Sequence, residues 1–156
     1  MNIGIIPARL DSTRLPKKIL LNLNGKPMIV HTIERALQSK KLDRVIVAID
    51  SEETQVALKE FDCEIVMTSQ DHISGTDRVA EVVKNIPEAD VIVNIQGDEP
   101  LIESNIIDGK LNDRASLFLK NFLIAIFESS FYNGDAGPYL KFIKKYSNRP
   151  MSVDIN

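Results

Sequence analysis

Short apolar runs alternate with amphipathic stretches over roughly the first hundred residues of the chain. The runs are rich in Val and Ile, and their apolar residues are continuous, which is typical of β-strands buried on both faces. Between them, Ile29, Val30, Ile33 and Leu37 recur at helical spacing, as do the valines after Ser74. Four runs therefore predict strands, at 2–6, 43–50, 63–68 and 89–95.

Turn and capping residues mark the boundaries between these elements. The segment NGK at 24–26 predicts a turn, and Pro27 suits the first position of the helix that follows. Ser51 is expected to cap a second helix, and Ser74 with Asp77 forms a capping-box pattern before a third. Strands that alternate with helices in this way imply crossover connections. The predicted fold is an α/β three-layer sandwich with a mostly parallel sheet.

The pattern changes after about residue 108, where the alternation can no longer be recognised. Eight of the nine aromatic residues lie beyond Ala115. We therefore divide the chain into an α/β core, 1–107, and a remainder, 108–156. Aromatic residues that find too little core to cover them would form an exposed apolar surface, which favours a partner-binding module and self-association.

Composition narrows the class of protein. The 156 residues are 44% hydrophobic and 26% charged, as in a globular domain, and the net charge of −3 argues against a general nucleic-acid binder. Cys63 is the only cysteine, so no intrachain disulfide is expected and a reducing cytoplasm is favoured. No export signal is expected. The longest apolar run, 117–127, is interrupted by Lys120 and falls short of the ~20 residues of a membrane span.

Positive charge is concentrated directly after the first predicted strand, while the residues after the fourth, Gln96-Gly97-Asp98, end in an acid. The carboxyl ends of parallel strands meet at one edge of a sheet. Cations there can neutralise phosphate oxygens, and a carboxylate can hold a hard cation that also contacts the phosphates. The pattern indicates a site for a nucleoside triphosphate with magnesium, although neither GxxxxGK[ST] nor GxGxxG is present. The cations are Arg9, Arg14, Lys17 and Lys18.

Each of these features also has a plainer interpretation. A basic loop is most often solvated surface, Asp98 suits a turn at a strand end, and Ser74 is explained by helix capping. His31 and His72 are isolated and are expected at surface or capping positions, and Cys63 is expected to pack at the start of a strand. The co-occurrence of cations and an acid at one sheet edge favours the nucleotide site.

The segments that carry these residues closely resemble the 3-deoxy-manno-octulosonate (KDO) cytidylyltransferases, the CMP-KDO synthetases of lipopolysaccharide precursor synthesis. The resemblance covers about residues 3–107. It implies an incomplete nucleotide-diphospho-sugar transferase fold, CTP and KDO as substrates, Mg²⁺ as cofactor, and a cytoplasmic homodimer that binds neither nucleic acid nor membrane. The matching segments are IIPARLDSTRLPKKIL, NGKPMIVHTIERA, VAIDSEE, MTSQDHISGTDRVAEV and VIVNIQGDEPLI.

The same resemblance implies roles for individual residues. Arg9, Lys18 and Asp98 would be catalytic, with Arg9 and Lys18 on the triphosphate and Asp98 as a magnesium ligand. Arg14 would support the same loop, and Gln96 would lie beside Asp98 at the reaction centre. The residues implied around the cytidine are Ala8, Ser74, Gly75 and Arg78.

The chain also departs from the family. Members are longer and carry further segments on the sugar side, together with a second magnesium-binding aspartate. The resemblance therefore implies an internally deleted and truncated copy. Three hypotheses stay open at this point: an active cytidylyltransferase, a non-catalytic nucleotide binder or remnant, and a partner-binding module.

Overall fold

The protein is described by a computed structural model that covers residues 1–11 and 15–112. The strands are β1 (Asn2–Ala8), β2 (Asn22–Leu23), β3 (Lys26–Pro27), β4 (Arg44–Ile49), β5 (Glu64–Met67) and β6 (Val91–Asn94). The helices are α1 (Met28–Leu37), α2 (Glu52–Leu58), α3 (Gly75–Val83) and α4 (Ser104–Asn112), with a short 3₁₀ helix at Lys18–Leu20.

Four of the strands form one parallel sheet in the order β5-β4-β1-β6. In the centre, Ile5 of β1 pairs with Ile46 of β4 on one side and with Asn94 of β6 on the other. These strands correspond to the four apolar runs, so the predicted parallel sheet is confirmed. Because all four run in the same direction, their carboxyl ends meet at one edge.

Helices cover both faces of this sheet. Ile6 and Val47 are paired neighbours that pack in one buried cluster with Ile33 of α1 and with residues of α2 and α4. The alternate residues of the same strands, such as Ile5, face the other side, where α3 packs and buries Val79. The three-layer sandwich is thereby confirmed for the described residues.

The local signals are confirmed with one small correction. The side chains of Ser51 and Ser74 each accept a backbone hydrogen bond at 3.1 Å at the start of a helix. Asn24 and Gly25 have positive φ values of 52° and 92° and connect the antiparallel strands β2 and β3. Pro27 precedes the first residue of α1 instead of occupying it, because its backbone is still extended in the hairpin.

Strand β1 is longer than predicted, since it continues through Pro7 to Ala8. The amide of Ile95 donates to the carbonyl of Ile5 at 2.9 Å, so the polar backbone groups of Ile5 point towards β6. The backbone of Pro7, two residues later, points the same way. Because β6 has already ended there, the missing N–H of proline removes no ladder hydrogen bond.

Helix α4 runs across the predicted boundary between 107 and 108. Its Ile107 is buried in the cluster that also contains α1. The division of the chain into two parts stays a prediction, because residues 113–156 lie outside the described residues, as does the apolar run at 117–127. Among the helices of the described part, none is long and apolar enough to cross a membrane.

Candidate functional site

A cleft of about 280 Å³ opens at the carboxyl edge of the parallel sheet. One wall is the segment after β1, the next is the start of the 3₁₀ helix, the third is the loop that leads into α3, and the last is the segment after β6. The residues that line it are Pro7, Arg9, Asp11, Lys18, Ile19, Ile73, Ser74, Gly75, Gln96, Gly97 and Asp98.

Most of the residues implied by the resemblance meet in this cleft. Two described residues do not line it, because Ala8 is fully buried in the core and Arg78 is enclosed beneath the cleft wall. Arg14 lies outside the described residues. The roles assigned to all of these residues remain predictions. Those that line the cleft are Arg9, Lys18, Ser74, Gly75, Gln96 and Asp98.

The cationic and acidic ends of the cleft are joined directly by an ion pair. The ammonium of Lys18 lies 2.6 Å from a carboxylate oxygen of Asp98, and both side chains are substantially exposed, at 37% and 45%. An exposed pair of this kind contributes little to stability, because water solvates the separated charges well. An anionic ligand group can therefore replace Asp98 beside Lys18, and a cation can replace Lys18 beside Asp98, at little cost in free energy.

Arg9 connects two walls of the cleft. Its guanidinium donates to the carbonyl oxygen of Ile73 at 3.2 Å, which links the segment after β1 to the loop before α3. A guanidinium carries five N–H donors in a planar fork. Arg9 is an exposed residue, so N–H groups of its guanidinium are accessible to an anionic ligand.

Two glycines let the walls approach each other at Pro7. A Cβ atom on Gly97 would lie 3.0 Å from the carbonyl oxygen of Pro7, and one on Gly75 would lie 3.2 Å from the ring of Pro7. Side chains at these positions would push the segments after β1 and β6 and the start of α3 apart. The shape of the cleft floor thus depends on the absence of a side chain at both positions.

Asp50 is the functional candidate that sequence reasoning missed. It directly follows β4 and is only 7% exposed. Its carboxylate accepts hydrogen bonds from the amide of Leu10 at 3.0 Å and from the guanidinium of Arg78 at 2.9 Å. Arg78 also donates to the carbonyl of Ser69 at 3.1 Å and to the hydroxyl of Thr68. The only sequence signal for this role was the position of Asp50 directly after an apolar strand. No nearby residue in the sequence indicated that Arg78 would be its partner.

Electrostatics at Arg78 reflect this burial. Desolvation lowers the pKa of the Arg78 guanidinium, the nearby Asp50 carboxylate raises it, and the neighbouring charge of Arg9 lowers it again. The net effect lowers the pKa of Arg78, but because arginine starts from such a high pKa, its guanidinium stays protonated.

The two histidines and the cysteine have structural partners. His72 bonds to the carboxylate of Glu81 beside the cleft, and His31 bonds to the carbonyl of Leu23 at 2.7 Å. Cys63 is half-buried against the core next to β5, as predicted, and burial followed by the charge of Asp62 raises the pKa of its thiol. Within 1–11 and 15–112, no group of three or more potential ligands could hold a metal ion by itself.

Comparison with known proteins gives a consistent result. A family profile described as cytidylyltransferase matches residues 3–122. The 3-deoxy-manno-octulosonate cytidylyltransferase of Chlorobium phaeobacteroides is 52% identical over 104 residues, which are 67% of this chain and 42% of that protein. The enzyme of the same name from Haemophilus influenzae is 54% identical over 105 residues, covering 66% of this chain and 41% of the relative.

A solved structure agrees with these relatives. The structure of CMP:2-keto-3-deoxy-manno-octonic acid synthetase complexed with CTP superposes with a TM-score of 0.69 and 45% identity. The match covers 71% of this chain and 46% of that one. The chain thus spans less than half the length of each of these three relatives.

Proposed function

The chain belongs to the cytidylyltransferase family, and we propose that its described part is the CTP-binding half of an enzyme that transfers CMP from CTP to KDO. The observation that carries this proposal is the meeting of Arg9, Lys18 and Asp98 in one cleft at the carboxyl edge of the sheet. About half of the aligned residues are identical to those of KDO cytidylyltransferases, which supports CTP as the nucleotide and KDO as the sugar.

Arg9 and Lys18 would bind the triphosphate. Lys18 would leave Asp98 and donate to a phosphate oxygen, while the exposed donors of Arg9 would meet a second one. The anomeric hydroxyl of the sugar would then attack the α-phosphorus and lose its proton to water. A new P–O bond would form, and the bond to the leaving pyrophosphate would break. The contribution of both side chains is to orient the phosphates and to stabilise the charge that develops on them.

Among the described residues, the carboxylates that line the cleft are Asp98 and Asp11, which are too few for a metal site made by protein alone. Mg²⁺ is usually held by one or two carboxylates together with substrate phosphates and water, so the residues fit a metal that enters with the triphosphate. We assign Asp98 as the ligand of that metal. Bound there, Mg²⁺ would supply positive charge beside the phosphates.

A non-catalytic nucleotide binder is the second candidate, because the cleft could bind CTP without transfer of CMP. The experiment that separates the two uses the 156-residue chain with CTP, KDO and Mg²⁺. Pyrophosphate release above a no-enzyme blank supports the transferase. Calorimetric binding of CTP without release supports the second candidate, and no binding contradicts both.

The proposal includes a nucleotide-binding part at 1–107, self-association at least to a dimer, and a cytoplasmic location. The single free cysteine is compatible with a reducing compartment. Light scattering over a wide concentration range tests the association, and a monomer at every concentration would contradict it.

A further inference from the structure

The buried carboxylate of Asp50 does not line the cleft, but it bonds to residues next to those that do. One of its oxygens holds the amide of Leu10, which stands between the two cleft residues Arg9 and Asp11. The other holds the guanidinium of Arg78, in the first half of α3. A single side chain is therefore bonded to both the segment after β1 and the helix whose first residues form another wall of the cleft.

Arg78 extends this connection to a third strand end. Its guanidinium is fully buried and donates to the carbonyl of Ser69 and the hydroxyl of Thr68, which follow β5. The hydroxyl of Thr68 in turn donates to the carbonyl of Ile49 at 2.7 Å. The carboxyl ends of β1, β4 and β5 are thus held in one hydrogen-bonded network.

Stability alone is a weak reason for such a pair. The desolvation of two buried charges consumes much of their mutual attraction, and apolar residues of similar volume often stabilise a fold equally well. The geometry offers a better reason, because a nucleotide that uses the cations after β1 and the start of α3 needs both walls at a fixed separation. Fixing that separation in advance lowers the entropic cost of binding a ligand that contacts both walls.

We propose that Asp50 is a positioning residue for the nucleotide, which holds the segment after β1 at the correct distance from the start of α3. The inference rests on the proposed function. It assigns Asp50 no contact with the substrate. Its loss should therefore affect a ligand that also reaches the start of α3 far more than a ligand that contacts the phosphate-binding residues alone.

The test compares CTP with inorganic pyrophosphate, each titrated calorimetrically with Mg²⁺ into the 156-residue chain and its Asp50→Asn variant. We expect CTP affinity to fall by about tenfold or more, because the two contact regions are no longer aligned. Pyrophosphate affinity should stay within about twofold, because pyrophosphate is too short to reach the start of α3 as well as the phosphate-binding residues. The Asp50→Glu variant keeps the negative charge but moves it by one methylene group, so it should also lose affinity for CTP and keep its affinity for pyrophosphate. It replaces Asp50→Asn in the test if that variant does not fold.

Leu58→Ala is the matched control. Leu58 is fully buried at the end of α2 and does not line the cleft. The cavity should lower the melting temperature but leave the affinities for CTP and pyrophosphate unchanged. If Asp50→Asn weakens both ligands equally, or neither, the positioning role is wrong. If the wild-type chain binds no CTP, the proposed function itself fails, which is a distinguishable outcome.

Discussion

Two cation–carboxylate pairs at the same sheet edge have similar N–O distances but differ in burial. Lys18 and Asp98 are 2.6 Å apart and substantially exposed, whereas Arg78 and Asp50 are 2.9 Å apart and buried. Water can replace either partner of the first pair at little cost, but nothing replaces a partner in the second. The comparison indicates that burial, more than distance, separates a pair suited to binding a ligand from one suited to holding the site together.

The largest effect should come from breaking the buried pair. Arg78→Met leaves the Asp50 carboxylate buried without its charge partner, and we expect the free energy of unfolding to fall by about 3–5 kcal/mol. Urea denaturation at pH 7 measures it. The double variant Asp50→Asn/Arg78→Met removes both charges and keeps an acceptor for the Leu10 amide, so it should lose clearly less. A double variant as unstable as Arg78→Met would show that the charge is not the cause.

Breaking the exposed pair should affect CTP binding much more than stability. Lys18→Met should change the free energy of unfolding by less than about 1 kcal/mol, yet weaken CTP binding by roughly 1.5–3 kcal/mol with or without metal. Lys17→Met is the control, because Lys17 forms a similar exposed pair with Glu53 at 2.7 Å but does not line the cleft. Equal losses of CTP affinity in the two variants would show that only general charge matters.

Asp98 should differ from its partner by depending on metal. Asp98→Asn should weaken CTP binding in Mg²⁺ by about 1–2 kcal/mol, as expected for the loss of a charged ligand. In EDTA the same change should leave binding equal or slightly better, because an anion that repels the triphosphate is gone and Lys18 is released. Titration in the two buffers decides this point. If Asp98→Asn changes CTP affinity by the same small amount in Mg²⁺ and in EDTA, Asp98 is not a metal ligand and has only a structural role after β6.

The smallest effect should come from a third pair of intermediate burial, His72 and Glu81. Hydrogen bonds from His72 and from the Ser69 amide lower the pKa of Glu81 below its ordinary value of 4.5. A lowered folded-state pKa adds stability that is fully present above pH 4.5 and is lost as the pH falls through the lowered value. Glu81→Gln should therefore flatten the acid limb of the stability curve by less than about 1 kcal/mol, since the pair is partly solvated.

Urea denaturation of wild type and Glu81→Gln between neutral and acid pH measures this difference. His31→Gln is a suitable control, since His31 bonds to a backbone carbonyl and has no carboxylate partner among the described residues. Parallel curves for wild type and Glu81→Gln across the acid range would contradict the assignment to Glu81.

The sequence alone determined the order of the four strands of the main sheet and of helices α1 to α3, and which residues follow those strands. It did not predict β2, β3 or α4. Apolar periodicity and caps such as Ser51 and Ser74 act over a few residues, so their signals survive without any knowledge of the fold. The carboxyl-edge rule then brought Arg9, Lys18 and Asp98 to one place, and the structure confirms that they line one cleft.

Only the tertiary structure decided which charges pair. Lys18 and Asp98 are 80 residues apart in sequence, and Asp50 and Arg78 are 28 apart. Partners at such separations are set by strand order and register, which local patterns do not encode. Burial is also a tertiary property, so the sequence could not show that Arg78 is enclosed beneath the cleft while Lys18 stays at its surface.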